Sequence, residues 1–159
     1  MCIRDRSGGF AFEEGNTYGS VGSEEIWYIE GSATIEENVT IYGTVIADLS
    51  ISFTGRRDKE NVTIDAASGY PALLAGTNIS GDSLANSTIS GLIHAGNTIT
   101  FDKANNLTIN GTIISGNDTS MANDKRGSFV INYDSDIVSN PPPYFEDPGV
   151  NLSAWQETY

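Results

Sequence analysis

NSTISGLIHAGNTITF (residues 86–101) and NLTINGTIISGNDTSM (residues 106–121) carry the same residue types at the same offsets. A third copy, NVTIYGTVIADLSISF, occupies residues 38–53 and aligns with both without gaps. Asn38, Asn86 and Asn106 open the copies; Thr40, Thr88 and Thr108 hold the third place. Ile41, Ile89 and Ile109 hold the fourth place, and Gly43, Gly91 and Gly111 the sixth. A further NVTI starts at Asn61, so the starts are spaced by 23, 25 and 20 residues. That period belongs to solenoid coils.

Inside each copy the period is two. Val39, Ile41, Gly43, Val45, Ala47, Leu49, Ile51 and Phe53 form one set; Asn38, Thr40, Tyr42, Thr44, Ile46, Asp48, Ser50 and Ser52 form the other. One set is apolar or small and the other mostly polar, as a half-buried strand requires. The same alternation predicts Ile89, Gly91, Ile93, Ala95, Ile99 and Phe101 inward, with Leu92, His94 and Thr98 outward. A helix would scatter these side chains around its circumference, and the Ile, Val and Thr content favours strands. Asn suits a corner, and Gly at a fixed inward place suits a bend where a larger side chain would not fit. No single coil buries its apolar face alone, so neighbours share one core. The expected fold is all-β: a short right-handed parallel β-helix of about five coils with a Pro-rich C-terminal cap.

The 159 residues fit one domain. Eight Lys and Arg face 21 Asp and Glu, a net charge of −13. This argues against nucleic acid and against anionic lipid as partners, since both need a basic surface. Cys2 is the single cysteine and lies in MCIRDR. Residues 1–6 read as a non-native start of adapter type, leaving the true N-terminus outside the sequence. Residues 7–29 read as an N-terminal segment or cap, 30–139 as the β-helix, and 140–159 as a Pro-rich step and capping tail. Pro141, Pro142 and Pro143 lack N–H donors and cannot continue a ladder. The tail, with Leu152 and Trp155, reads as a lid over the open end. FTGRRDKEN (53–61), holding Arg56, Arg57 and Lys59, and NDTSMANDKRG (117–127) read as solvated corner loops.

Glycoside cleavage on a β-helix needs converging carboxylates on an outer face. The strand copies offer almost none beyond Asp48 and Asp65. His94 is the single histidine and has no second His or Cys with which to share a metal. Asp118 and Asp124 are the weak candidates for a cation loop. No P-loop, dinucleotide fingerprint or HExxH motif occurs. The expectation is a protein that is not an enzyme, with no catalytic residue, metal or cofactor. N-x-S/T sequons start at Asn38, Asn61, Asn78, Asn86, Asn106, Asn110, Asn117 and Asn151. Asn38, Asn61, Asn86 and Asn106 are the candidate glycan attachment sites. The coil itself also wants Asn at corners and Thr at strand starts, so the repeat produces sequons without needing a glycan.

ISGLIHAGNTITF (89–101), LTINGTIISGND (107–118), VINYDSDIVSNPPPYF (130–145) and LSAWQE (152–157) together resemble the C-terminal domain of PilX-like type IV pilus assembly proteins. The ordered ending Tyr133-Asp134, Pro141 to Pro143, Trp155 carries most of that resemblance. The hydrophobic pilin helix of the family is absent from this sequence. The resemblance implies a surface-exposed structural or adhesive domain of a pilus-associated, minor-pilin-like protein of the cell envelope. Its partners would be other pilus or envelope proteins and surface glycans, with membrane contact only through a missing N-terminal helix. A bactofilin-like filament scaffold and a carbohydrate-binding or carbohydrate-cleaving β-helix are the alternatives.

Overall fold

A computed structural model of the chain describes residues 2–55, 61–82, 84–123 and 128–133. Among the described residues, fifteen strands wind about one axis. The first turn holds β1 (Cys2–Ser7), β2 (Phe10–Phe12) and β3 (Thr17–Tyr18). The second holds β4 (Glu25–Glu30), β5 (Ala33–Ile35) and the start of β6 (Thr40–Ala47). The third takes the rest of β6, then β7 (Ile51–Phe53) and β8 (Thr63–Asp65). Next come β9 (Leu73–Ala75), β10 (Asn78–Asp82) and the start of β11 (Thr88–Ala95). The fifth uses the rest of β11, β12 (Thr98–Ala104) and the start of β13 (Leu107–Ser115). The sixth uses the rest of β13, β14 (Asp118–Asn123) and β15 (Phe129–Tyr133).

All these strand pairs are parallel, so the fold is a β-solenoid. One sheet runs β14-β12-β10-β7-β5-β2 and makes one side. The other sheet runs from β1 to β15 and bends to make the remaining two sides. The bend lies in β6, β11 and β13, each of which crosses it at Gly43, Gly91 or Gly111. All three glycines have positive φ, of 143°, 126° and 156°. A Cβ on Gly111 would strike the carbonyl oxygen of Gly91 one rung below, so the corner closes only with glycine there.

The registers stack like on like. Ile41, Ile64, Ile89 and Ile109 form one inward column, and all four are fully buried. Val45, Leu73 and Ile93 form a second, and Ala33, Ile51, Ile79 and Ile99 a third. Together they build one continuous core. Neighbouring rungs are about 4.8 Å apart, so each apolar side chain touches its copies above and below. Phe53 and Phe101 lie two rungs apart and meet edge to face at 6.0 Å. Between them the column carries Gly81, where a Cβ would press on Leu84 at 2.9 Å.

The structure departs from the sequence reading at the first turn and at the corners. There are six turns rather than five, because residues 2–18 wind a turn of their own. Residues 2–6 of the opening hexapeptide, with Ser7, form β1, which pairs with β4 over six residues. Leu49 is 53% exposed although the alternation places it inward. It sits at a corner, where its amide bonds the Gly31 carbonyl at 2.9 Å and its carbonyl accepts from Thr77. A corner ends the strand alternation. Leu92 is buried although the alternation places it outward, because the positive φ at Gly91 resets the facing and both Leu92 and Ile93 go in. Arg56, Arg57 and Lys59, Asp124, and the tail with Pro141 to Pro143 and Trp155 lie outside the described residues. Among the described residues no helix is long and apolar enough to cross a membrane.

Candidate functional site

The outward faces carry the polar side chains. Because the coils stack in register, these also form columns. On the one-sided sheet, Thr34, Ser52, Ser80, Thr100 and Ser120 occupy five successive rungs. Ser80, Thr100 and Ser120 are exposed, Thr34 and Ser52 half-buried. Thr34 and Ser52 hydroxyls approach each other at 3.4 Å. The column therefore presents hydroxyls at a step of about 4.8 Å.

At the edges of the faces, amide columns bond to themselves. Asn106 Nδ2 donates to Asn86 Oδ1 at 3.1 Å, and Ser128 Oγ donates to Asn106 Oδ1 at 3.0 Å. Asn97 Nδ2 donates to Asn78 Oδ1 at 3.0 Å, and Asn117 Nδ2 to Asn97 Oδ1 at 3.4 Å. Asn132 Nδ2 donates to Asn110 Oδ1 at 2.7 Å. These bonds tie successive turns and hold the outer surface rigid.

The candidate glycan sites Asn38, Asn61, Asn86 and Asn106 are all exposed. Asn38, Asn86 and Asn106 have left-handed φ of 60°, 49° and 60°, a conformation that Asn tolerates better than other non-glycine residues. The corner thus selects Asn for its backbone. At Asn106 the amide nitrogen that would accept a sugar is already a donor in the column. The core-repeat residues Ile41, Ile89 and Ile109 are inward and Gly43, Gly91 and Gly111 stand at the bend.

His94 is half-buried in register between Leu74 and Ile114. Burial beside these aliphatic neighbours lowers its pKa below the ordinary 6.5. Asp48 accepts the Tyr28 hydroxyl at 2.7 Å, and this hydrogen bond raises the Tyr28 pKa above its usual 10.0. Asp65 is exposed on β8. Asp118 lies in β14, in register with Thr98. Among the described residues, no three His, Cys, Asp or Glu are grouped so as to hold a metal ion.

Sequence reasoning missed the aromatic group at the first turn. Phe10 stacks on Trp27 at 5.2 Å, and Phe12 and Tyr18 meet edge to face at 4.9 Å. Arg6 lies over both Phe10 and Trp27, at 5.2 and 5.5 Å, and Arg4 lies over Trp27 at 5.5 Å. The spacing of Phe10, Phe12, Tyr18 and Trp27 shows no repeat, so only the winding of the chain brings them together. Known protein families, curated proteins and solved structures offer no match to this chain.

Proposed function

We propose that this chain is a non-enzymatic, contact-making domain displayed at the cell envelope, as the exposed solenoid of a type IV pilus-associated, minor-pilin-like protein. The observation that carries the reading is the hydroxyl column Thr34, Ser52, Ser80, Thr100 and Ser120. A rigid row of neutral donors and acceptors suits repeated hydrogen bonds to an extended partner, and each such bond contributes about 1 kcal/mol net. Avidity along the row replaces a deep pocket. The strong negative charge supports an exposed setting, where it keeps a displayed domain soluble. The resemblance of roughly residues 30–159 to the C-terminal domain of PilX-like pilus proteins supplies the pilus part of the reading.

The test is made in the source cells. The reading frame upstream is recovered, and the protein is located by protease shaving of intact cells followed by fractionation. An upstream apolar stretch of about 20 residues with solenoid peptides released from intact cells is the expected result. Solenoid peptides released only after lysis would refute the envelope reading.

A further inference from the structure

The sheet that runs from β1 to β15 carries an outward column of a different kind. Tyr28, Ile46, Leu74, His94 and Ile114 stand in register on five successive rungs. Their neighbours along the strands, such as Val45 and Ala47 or Ile93 and Ala95, are buried in the core, so the column faces out. All five residues are half-buried. The hydroxyl column lies on the other sheet, so this is a separate face. On one flank Gly76, Gly96 and Gly116 stack so closely that a Cβ on each would strike a carbonyl oxygen of the rung below. The last three turns therefore bring no side chain to that corner, and bare backbone lies beside Leu74, His94 and Ile114. On the other flank Thr44, Ala72, Leu92 and Thr112 are buried. The result is a shallow, uncharged channel along the axis. Its far end is acidic: Asp48 accepts the Tyr28 hydroxyl at 2.7 Å, and Glu30 and Asp5 lie near enough to act on the same group.

We infer that this channel docks an amphipathic helix of a partner protein. The helix lies along the solenoid axis, with its apolar face on Leu74, His94 and Ile114 and basic side chains at the Tyr28 end. The step of the rungs decides the conformation. Rungs repeat at about 4.8 Å. A helix returns to one face about every 5.4 Å and stays nearly in step across the column. An extended strand presents a side chain to one face only about every 6.7 Å and is out of step by the second rung. Charge decides the ends, because Asp48 and Glu30 favour a cationic group beside Tyr28. A second copy is the poorer occupant. It carries the same carboxylates at the same end and a charge of −13. The channel is also narrow: five rungs by three residues is about 24 Å by 10 Å. That falls well short of the roughly 800 Å² per partner that a stable dimer buries.

The test uses the full chain and two fluorescein-labelled synthetic peptides of about 16 residues, enough helix to span the column. Both have the same composition, with a lysine cluster at one end. In one the leucines recur at helical spacing on a single face; in the other they are scattered around the helix. Fluorescence anisotropy should show the one-faced peptide binding at least tenfold more tightly. The variant carrying Leu74→Asn and Ile114→Asn should lose about tenfold in affinity while its melting temperature stays close to wild type, since both positions face outward. Asp48→Asn, which keeps an acceptor for Tyr28, should weaken binding severalfold at low salt and leave it unchanged in about 1 M salt. Thr100→Ala, on the hydroxyl face, should have no effect. Equal binding of the two peptides, or of neither, overturns the proposal, as does an unaffected double variant or a loss with Thr100→Ala. Sedimentation showing a dimer of the protein alone that the double variant abolishes also overturns it, in favour of a second copy.

Discussion

Replacing Gly111 with alanine tests whether the rungs are as closely stacked as the geometry requires. Gly111 has φ +156°, and its added Cβ would land on the carbonyl oxygen of Gly91 and within 3.2 Å of the Gly91 Cα. Neither obstacle is the flexible end of a side chain, so relief requires moving backbone that is paired on both sides. Two costs add. A non-glycine residue in this sparsely populated region costs about 1–3 kcal/mol. Forced overpacking of a tight contact costs about another 1–3 kcal/mol. The expected loss is therefore about 2–6 kcal/mol, a large part of the roughly 5–15 kcal/mol that holds a typical domain folded. Gly69→Ala is the control, since Gly69 has φ +78° and open space around its would-be Cβ. It bears the backbone strain alone, about 1–2 kcal/mol. Urea unfolding followed by far-UV circular dichroism compares the two. Equal midpoint shifts for Gly111→Ala and Gly69→Ala would refute close stacking at the bend.

Ile109→Asp puts a carboxylate at a fully buried place in the isoleucine column and should unfold the chain or destabilise it by several kcal/mol, whereas Thr108→Asp, on the outward side, should shift the melting temperature little. Asn106→Ala loses both the left-handed backbone preference and the amide column, so it should destabilise by about 1–2 kcal/mol, and Asn106→Gly by less, as read from thermal melts. His94 has its folded pKa depressed by burial, so folding favours the neutral ring. Its contribution to stability is full above pH 6.5 and is lost as pH falls through 6.5 toward the folded pKa. The wild-type unfolding midpoint should drop over that window, and His94→Gln should flatten the dependence.

The winding was legible because repetition and alternation are local signals. Ile41, Ile89 and Ile109 could be placed inward from spacing alone, and the structure buries all three. Corners obey a different rule. Leu49 and Leu92 were assigned by continuing the alternation through a change of direction, and both assignments fail there. The first turn was hidden because its strands carry no copy of the repeat; its Phe10 and Phe12 meet Trp27 of the second turn only through the winding of the chain. In the sequence the hydroxyl column showed only as part of the mostly polar set that alternates with the apolar one. Its order along five rungs needed the register, since the intervals between its members vary with loop length: 18 residues from Thr34 to Ser52, 28 to Ser80, then 20 and 20.

Four pairings between β9 and β14 share one offset of 20 residues: Leu73 pairs with Ile93, Asn78 with Thr98, Thr88 with Thr108, and Thr98 with Asp118. A block of 20 residues is thus a self-contained unit of length. Duplicating such a block in a gene would lengthen the rod by about 4.8 Å and leave every existing neighbour in place but one. The protein's reach can then grow or shrink in fixed steps without redesign of its interior, as a ruler is lengthened by adding identical divisions.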